Sequence, residues 1–264
     1  MSFLNDILEV KSEEIKSLKA KRTLSSFNNE EFFVVPAMSL KKAICKSDRF
    51  GIISEIKKAS PSKGILKHDF NHMKLAETYF KCQTDAISVL TDKNFFQGDI
   101  NFIYDISKIK TTPILRKDFI IDEYQVFEAK AYGADAILLI AEALTASQID
   151  ELSNAAAECG LEVLLELHSE SELTKINFQL NDLIGINNRN LTTFNVDLNT
   201  TGILSVKIPE NILITSESGL LSEADINKLK GTNVNAVLIG EYFMKSNNIE
   251  SDFMKLKEWC SYAG

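Results

Sequence analysis

Residues 136–167 read AILLIAEALTASQIDELSNAAAECGLEVLLEL. The ends, AILLI at 136–140 and EVLLEL at 162–167, are short apolar runs, and AILLI is apolar on both faces. That suits a parallel strand covered on both sides rather than a strand with one wet face. Between them, residues 145–159 carry leucine, isoleucine and alanine at helical spacing, with Thr145 or Ser147 placed to cap the helix. The stretch is therefore one strand–helix–strand unit.

The same unit recurs on either side. Further apolar runs occur at Gly51–Ile56, Ala86–Leu90, Pro113–Leu115, Leu183–Ile186, Ile212–Thr215 and Ala236–Ile239, making eight in all. Successive runs start between 21 and 35 residues apart, room for one strand, one helix and two loops. Segments such as 123–132 again show helix-period apolar residues. Eight such units predict an α/β fold, a single (β/α)8 TIM barrel domain over residues 1–264, with 1–47 an N-terminal helical extension and 48–264 the barrel. A doubly wound open sheet would carry a glycine-rich dinucleotide turn after an early strand; here the first run leads into KKASPSKG instead. In the extension, Phe3, Leu4, Ile7, Leu8, Val10, Ile15 and Leu18 follow helical spacing with acidic residues between them, an amphipathic helix over 3–20. A second short helix is expected from Leu40 to Cys45.

Composition narrows function. The 264 residues hold 29 basic and 37 acidic side chains, a net charge of −8, which argues against a general nucleic-acid partner. A small anion is still admissible, because a pocket on an acidic protein can be locally positive. No apolar run approaches a membrane span, and no signal peptide is evident at the N-terminus, so neither a membrane nor export is expected. Cys45, Cys82, Cys159 and Cys260 are dispersed and form no CxxC pair, which suits reduced thiols and a cytoplasmic protein. His68, His72 and His168 are too few and wrongly spaced for the common histidine metal sites, so no metal is expected.

Chemistry in such a barrel belongs at the C-terminal ends of the strands. The first run ends Glu55-Ile56-Lys57, and if Ile56 packs outward both charges point into the mouth. Buried opposite charges are costly without a use, which favours function. Lys58–Gly64 adds hydroxyls and lysines suited to an anion. Arg116, Lys117 and Asp118 stand at the third exit, where apolar neighbours such as Phe119 are expected to lower the Lys117 pKa and make it a proton donor. Glu166 follows three apolar residues, and burial is expected to raise its pKa toward that of a general base. The sixth exit is Asn187-Asn188-Arg189-Asn190. Gly219 and Gly240 follow the seventh and eighth runs, where barrels commonly cradle phosphate. The inventory suits proton transfer on a phosphorylated small molecule without a cofactor.

SEIKKASPSKG at 54–64, PILRKDFIID at 113–122, LLELH at 164–168, GINNRNL at 185–191, SESG at 216–219 and LIGE at 238–241 together resemble the indole-3-glycerol-phosphate synthase family. The motifs stand in the family's order, and the resemblance runs from about residue 3 to residue 258. It implies a carboxy-lyase of tryptophan biosynthesis that closes the ring of 1-(2-carboxyphenylamino)-1-deoxyribulose 5-phosphate, giving indole-3-glycerol phosphate, carbon dioxide and water. It implies a small phosphorylated, anthranilate-derived substrate and no cofactor, and raises the question of association with other tryptophan-pathway enzymes. By the same resemblance Lys117 is the general acid and Glu166 the catalytic carboxylate. Lys57 lies near the substrate carboxylate or serves as an acid in dehydration. Glu55 orients the lysines, Asn187 hydrogen-bonds the substrate, and Ser218, Arg189 and Glu217 complete the polar site. Phe96, or less aptly Phe95, lines the aromatic pocket with Phe119. Ser60, Gly219, Gly240 and the backbone of Glu241 match the phosphate site. Two rivals stand beside this reading: a neighbouring barrel such as phosphoribosylanthranilate isomerase, not expected to carry EIKKASPSKG or the LRKDF lysine, and a non-catalytic ligand-binding barrel.

Overall fold

The structure is a computed structural model and describes residues 3–262. Eight parallel strands close into a barrel: β1 Gly51–Ile56, β2 Ala86–Leu90, β3 Ile114–Lys117, β4 Ala136–Ile140, β5 Glu162–Leu167, β6 Leu183–Asn187, β7 Leu213–Glu217 and β8 Ala236–Ile239. Each strand pairs with its neighbours in sequence, and β1 closes the ring on β8 through Gly51 opposite Ala236. Five strands match the apolar runs to the residue. β3, β6 and β7 differ because each runs on through polar residues at its C-terminal end, to Lys117, Asn187 and Glu217.

Alternation along the strands sorts the core into two layers. Ile52, Ile56, Ile87, Val89, Ile137, Leu139, Leu165, Ile184, Ile186, Ile214 and Val237 face outward and pack under the helices. Ile53, Ala86, Leu115, Ala136, Leu138, Ile140, Leu164, Leu183, Ala236 and Leu238 fill the barrel itself. This settles the conditional reading of β1: Ile56 does pack outward, so Glu55 points inward.

The N-terminal extension closes both ends. Helix α1 (Phe3–Lys21) puts Leu4 and Ile7 against the interior layer at the mouth. Helix α2 (Leu40–Ile44) plugs the opposite end with Leu40 and Ile44, both fully buried. Glu162, the first residue of β5, accepts hydrogen bonds from the Ser39 hydroxyl (2.6 Å) and the Lys41 backbone N–H (2.8 Å), which fastens the plug. Gly51 is required here, since a Cβ would lie 2.3 Å from the Ile44 carbonyl oxygen. The polar stretch between these helices includes a 3-10 turn at Leu24–Asn29 that the pattern does not announce. Thr145, not Ser147, caps the helix Ala146–Glu158, in a capping box with Gln148. All four cysteines are free thiols. No described helix is long and apolar enough to cross a membrane.

Candidate active site

The last inward-facing residue of five strands is polar: Glu55 on β1, Lys117 on β3, Glu166 on β5, Asn187 on β6 and Glu217 on β7. Below them the inward positions are apolar or small, except Glu162 at the foot of β5, which is tied to the α2 plug, and Thr215 on β7, so the barrel interior is largely apolar up to its charged mouth. All the site residues named from the sequence line one cavity there: Glu55, Lys57, Ser60, Phe96, Lys117, Phe119, Glu166, Asn187, Arg189, Glu217, Ser218, Gly219, Gly240 and Glu241. Phe3, Leu4, Ile7, Leu191 and Phe194 add an apolar roof. Phe96 lines the cavity and stands 6.2 Å from Phe119, whereas Phe95 turns away to meet Phe3 edge-on. Asp92 fixes this choice by accepting from the backbone N–H groups of both Phe95 (2.7 Å) and Phe96 (3.2 Å).

Lys117 is the centre of the charge. Its Nζ donates to Glu166 Oε2 at 2.6 Å and to Glu217 Oε2 at 2.5 Å. The lysine side chain is 13% exposed and the two glutamates 3% and 2%, so the cluster is screened little by water. Burial lowers the Lys117 pKa, as the sequence suggests, but Glu166, Glu217 and Glu55 outweigh it and hold the ammonium above the ordinary lysine range. The expected lowering is thus overturned by partners that sequence spacing does not reveal. Glu166 is reversed likewise. Burial would raise its pKa, yet Lys117 and His168 hold it well below the usual carboxylate range. The carboxyl that rises is Glu217, pushed up to about 8 by burial and by the neighbouring Glu166 against the pull of Lys117.

Two glycines make room for these carboxylates. A Cβ on Gly240 would lie 2.1 Å from Glu55 Oε2, and one on Gly185 would lie 2.3 Å from Glu217 Oε1. Gly240 thus serves the acid on β1 as well as the loop after β8. Glu55 is ion-paired to Lys57. Asn187 donates to Glu166 Oε1 (3.1 Å) and accepts the Arg189 backbone N–H (3.0 Å). Ser218 and Gly219 both have positive φ, +66° and +81°, a left-handed pair that turns the chain outward over the rim. Ser60 sits on a short hairpin, Ala59–Ser60 with Gly64–Ile65, whose tip is tied to the exit of the adjacent strand β8 by the Lys63–Glu241 ion pair.

Three basic residues placed at the mouth from sequence do not line the cavity. Arg116 points outward from β3 and is buried among Glu128 (2.8 Å), Asp118 (3.2 Å) and the Gln125 carbonyl (2.8 Å). Lys58 and Lys63 are not among the cavity residues, although Lys63 pairs with Glu241, which is. Sequence reasoning also passes over Lys11, only 4% exposed, whose Nζ reaches Asp92 (2.9 Å), Asp118 (3.0 Å) and Glu14 (2.8 Å). The signal is present in retrospect: Lys11 falls on the face of α1 shared by Leu4, Ile7 and Ile15. Among the described residues Glu142, His168 and Glu172 bring donor atoms within 4.8 Å of one another. Glu172, however, is occupied by the His168 backbone N–H (3.0 Å) and the Ser169 hydroxyl (2.6 Å), a loop-bracing arrangement rather than an open metal centre. His72 meets Asp105 and stacks on Phe102.

A mouth with a doubly paired lysine, a low and a high carboxyl, and glycines at the last two exits agrees with what the chain matches. The family model for indole-3-glycerol phosphate synthase matches residues 4–256, spanning all of these elements. The chain belongs to the indole-3-glycerol phosphate synthase family. Its relatives include the indole-3-glycerol phosphate synthase of Thermoanaerobacter pseudethanolicus, 46% identical over 256 residues, covering 96% of this chain and 97% of that protein. That of Neisseria meningitidis serogroup B is 41% identical over 256 residues, covering 96% and 98%. Among solved structures, KGPDC from Streptococcus mutans superposes with a TM-score of 0.62 at 11% identity, covering 79% of this chain and 96% of that one. The 3-hexulose-6-phosphate synthase of Salmonella typhimurium gives 0.59 at 13%, covering 80% and 98%. These two likenesses speak for the barrel alone.

Proposed function

We propose that the chain closes the indole ring of 1-(2-carboxyphenylamino)-1-deoxyribulose 5-phosphate, releasing carbon dioxide and water to give indole-3-glycerol phosphate, in the cytoplasm. The observation that carries this reading is Lys117 held between Glu166 and Glu217 beneath an apolar roof, in a chain of this family.

Attack of the ring carbon on the ketone generates an alkoxide, and Lys117 is the ammonium positioned to meet it. Its pKa above the lysine range does not disqualify it, because an alkoxide is a stronger base than an amine and takes the proton once charge develops. Until then the ammonium acts as a fixed positive charge in a dry site, worth several kcal/mol of barrier by order of magnitude. The ring becomes positive as the bond forms, and ionised Glu166 is the carboxylate to stabilise it. Carbon dioxide then leaves with rearomatisation, and loss of water follows. Lys57, oriented by its ion pair with Glu55, holds the substrate carboxylate end, and Phe96 and Phe119 line the pocket for the ring. Ser60, Gly219, Gly240 and the Glu241 backbone, aided by Arg189, receive the phosphate, whose remote binding energy folds the flexible chain for attack.

The test is indole fluorescence on adding the carboxyphenylamino substrate to purified protein. Product is expected at micromolar enzyme, with Lys117→Ala and Glu166→Gln each at least about a hundredfold slower. Turnover of the isomerase substrate instead, or near-normal rates in both variants, overturns the reading.

A further inference from the structure

Two buried glutamates share one lysine at the mouth, but their surroundings differ. Glu166 meets Lys117 through one oxygen, while the other receives the Asn187 amide at 3.1 Å and faces His168 Nε2 at 3.2 Å. Glu217 meets Lys117 through Oε2, and its buried Oε1 has no hydrogen-bond partner. The imidazole is what tips the balance. His168 lies two residues beyond Glu166, so strand alternation carries both to the same face. Its side chain is 5% exposed. Its Nδ1 stands 3.6 Å from Glu142 Oε2, and neither ring nitrogen forms a well-aligned hydrogen bond.

We infer that His168 is a positioning residue that holds Glu166 ionised and thereby leaves the exchangeable proton of the carboxyl pair on Glu217.

The charges facing this group can be taken element by element. From β3 comes Lys117, from β7 Glu217, from the loop after β4 Glu142, and from the turn after β5 Glu172. Glu172 is spent on the His168 backbone and Ser169. Lys175 donates to the carbonyls of Ala141 and Leu144 and sits near Glu142 rather than the imidazole. What remains is an alternating line of Lys117, Glu166, His168 and Glu142, running from the cavity to the rim. Burial opposes a charge on His168, but Glu166, Glu172 and Glu142 outweigh it and raise the imidazole's pKa. Two carboxylates at one lysine cannot both stay ionised cheaply; the one with the additional cation keeps its charge. A pair split in this way offers one group that only accepts a proton and one that can donate. In the ring-closure reading, on which this role rests, Glu166 then faces the positive ring and Glu217 is the acid in reserve.

The experiment has two arms. First, imidazole NMR titration of the free protein, with the His168 resonance assigned by its loss in His168→Gln, needs no substrate. The midpoint is expected above the ordinary imidazole value and should fall in Glu166→Gln. A His168 that titrates at or below that value, or ignores Glu166→Gln, overturns the inference while leaving the ring-closure reading intact. Second, the pH profile of kcat/KM is compared for the wild type, His168→Leu and His168→Gln. Without the cation Glu166 protonates at higher pH, so the acidic limb in His168→Leu should move up by about one pH unit, a roughly tenfold loss on that limb. His168→Gln, which keeps a donor, should lose less. A His168→Leu profile overlying that of the wild type, with Gln no better than Leu, overturns the inference. If His168→Leu does not fold, the titration decides alone. Absence of indole product from the wild type would instead count against the ring-closure reading.

Discussion

Replacing Lys11 by methionine tests whether α1 is latched to the catalytic mouth by charge. Methionine keeps the apolar stem and removes the ammonium that bridges Asp92 and Asp118, both buried. Removing one partner of a buried ion pair costs about 3–5 kcal/mol when the other charge is stranded. Here the stranding is incomplete. Asp118 keeps Arg116 at 3.2 Å and the Thr91 hydroxyl at 2.5 Å, and Asp92 keeps its two backbone N–H donors. The expected cost therefore falls below that range, at about 2–3 kcal/mol, with a ceiling at the free energy of detaching α1 alone. If the loss were felt by the whole barrel, melting would fall by roughly 5–10 °C. If α1 detaches first, the change appears as faster amide exchange over residues 3–21 and a raised KM, since Leu4 and Ile7 leave the roof. Hydrogen exchange, thermal melting and steady-state kinetics on one preparation separate these outcomes. A second substitution, Asp118→Asn in the Lys11→Met background, should recover part of the loss by removing the stranded charge. The latch is refuted if Lys11→Met changes none of the three: exchange over α1 within twofold, melting within about 1 °C, and KM within twofold.

Gly185→Ala and Gly240→Ala should each cut kcat/KM at least about tenfold, because a methyl group would occupy the space of the Glu217 and Glu55 carboxylates; circular dichroism should show the barrel intact, and unchanged rates would mean the carboxylates can move at no cost. Glu217→Gln should flatten the dependence of stability on pH between about 4.5 and 8. The raised Glu217 pKa means that the folded state holds a proton the unfolded chain has lost, so its contribution is full below that window and declines as pH rises through it; denaturant midpoints across pH measure the slope, and an unaltered slope contradicts the assignment. Glu166 acts oppositely, contributing above the ordinary carboxylate pKa and losing that contribution on acidification. Ser218→Ala should raise KM more than it lowers kcat, since the hydroxyl lines the cavity without touching the lysine clamp; the reverse split would give it a part in the chemistry.

Most of the barrel was legible because its signal is local. A strand buried on both faces must be apolar at every position, and a covering helix must repeat every three or four residues, so runs such as AILLI and AVLI mark themselves. The runs fell short where strands β3, β6 and β7 continue into Lys117, Asn187 and Glu217. Those residues look like loop to any reading that equates strand with apolarity, yet they are strand because they face the mouth. The site was legible as positions, since strand ends and their alternation say which side chains meet. Its electrostatics were not. Lys117 and Glu166 were each expected to follow burial, and in each burial is outweighed by partners acting together: Glu166 and Glu217, 49 and 100 residues away, for Lys117, and Lys117 with His168 for Glu166.

What this sequence determined alone is the number of units, their order and which strand ends carry the polar side chains of the site, because these follow from spacing along one strand or helix. What only the tertiary structure decided is which charges share a site. It placed Arg116 outside and Lys11 inside, and it chose Glu217 rather than Glu166 to carry the proton. The physical reason is that Coulomb interactions in a dry cavity depend on distances of a few ångströms between residues from different strands, and no one-dimensional pattern encodes those distances.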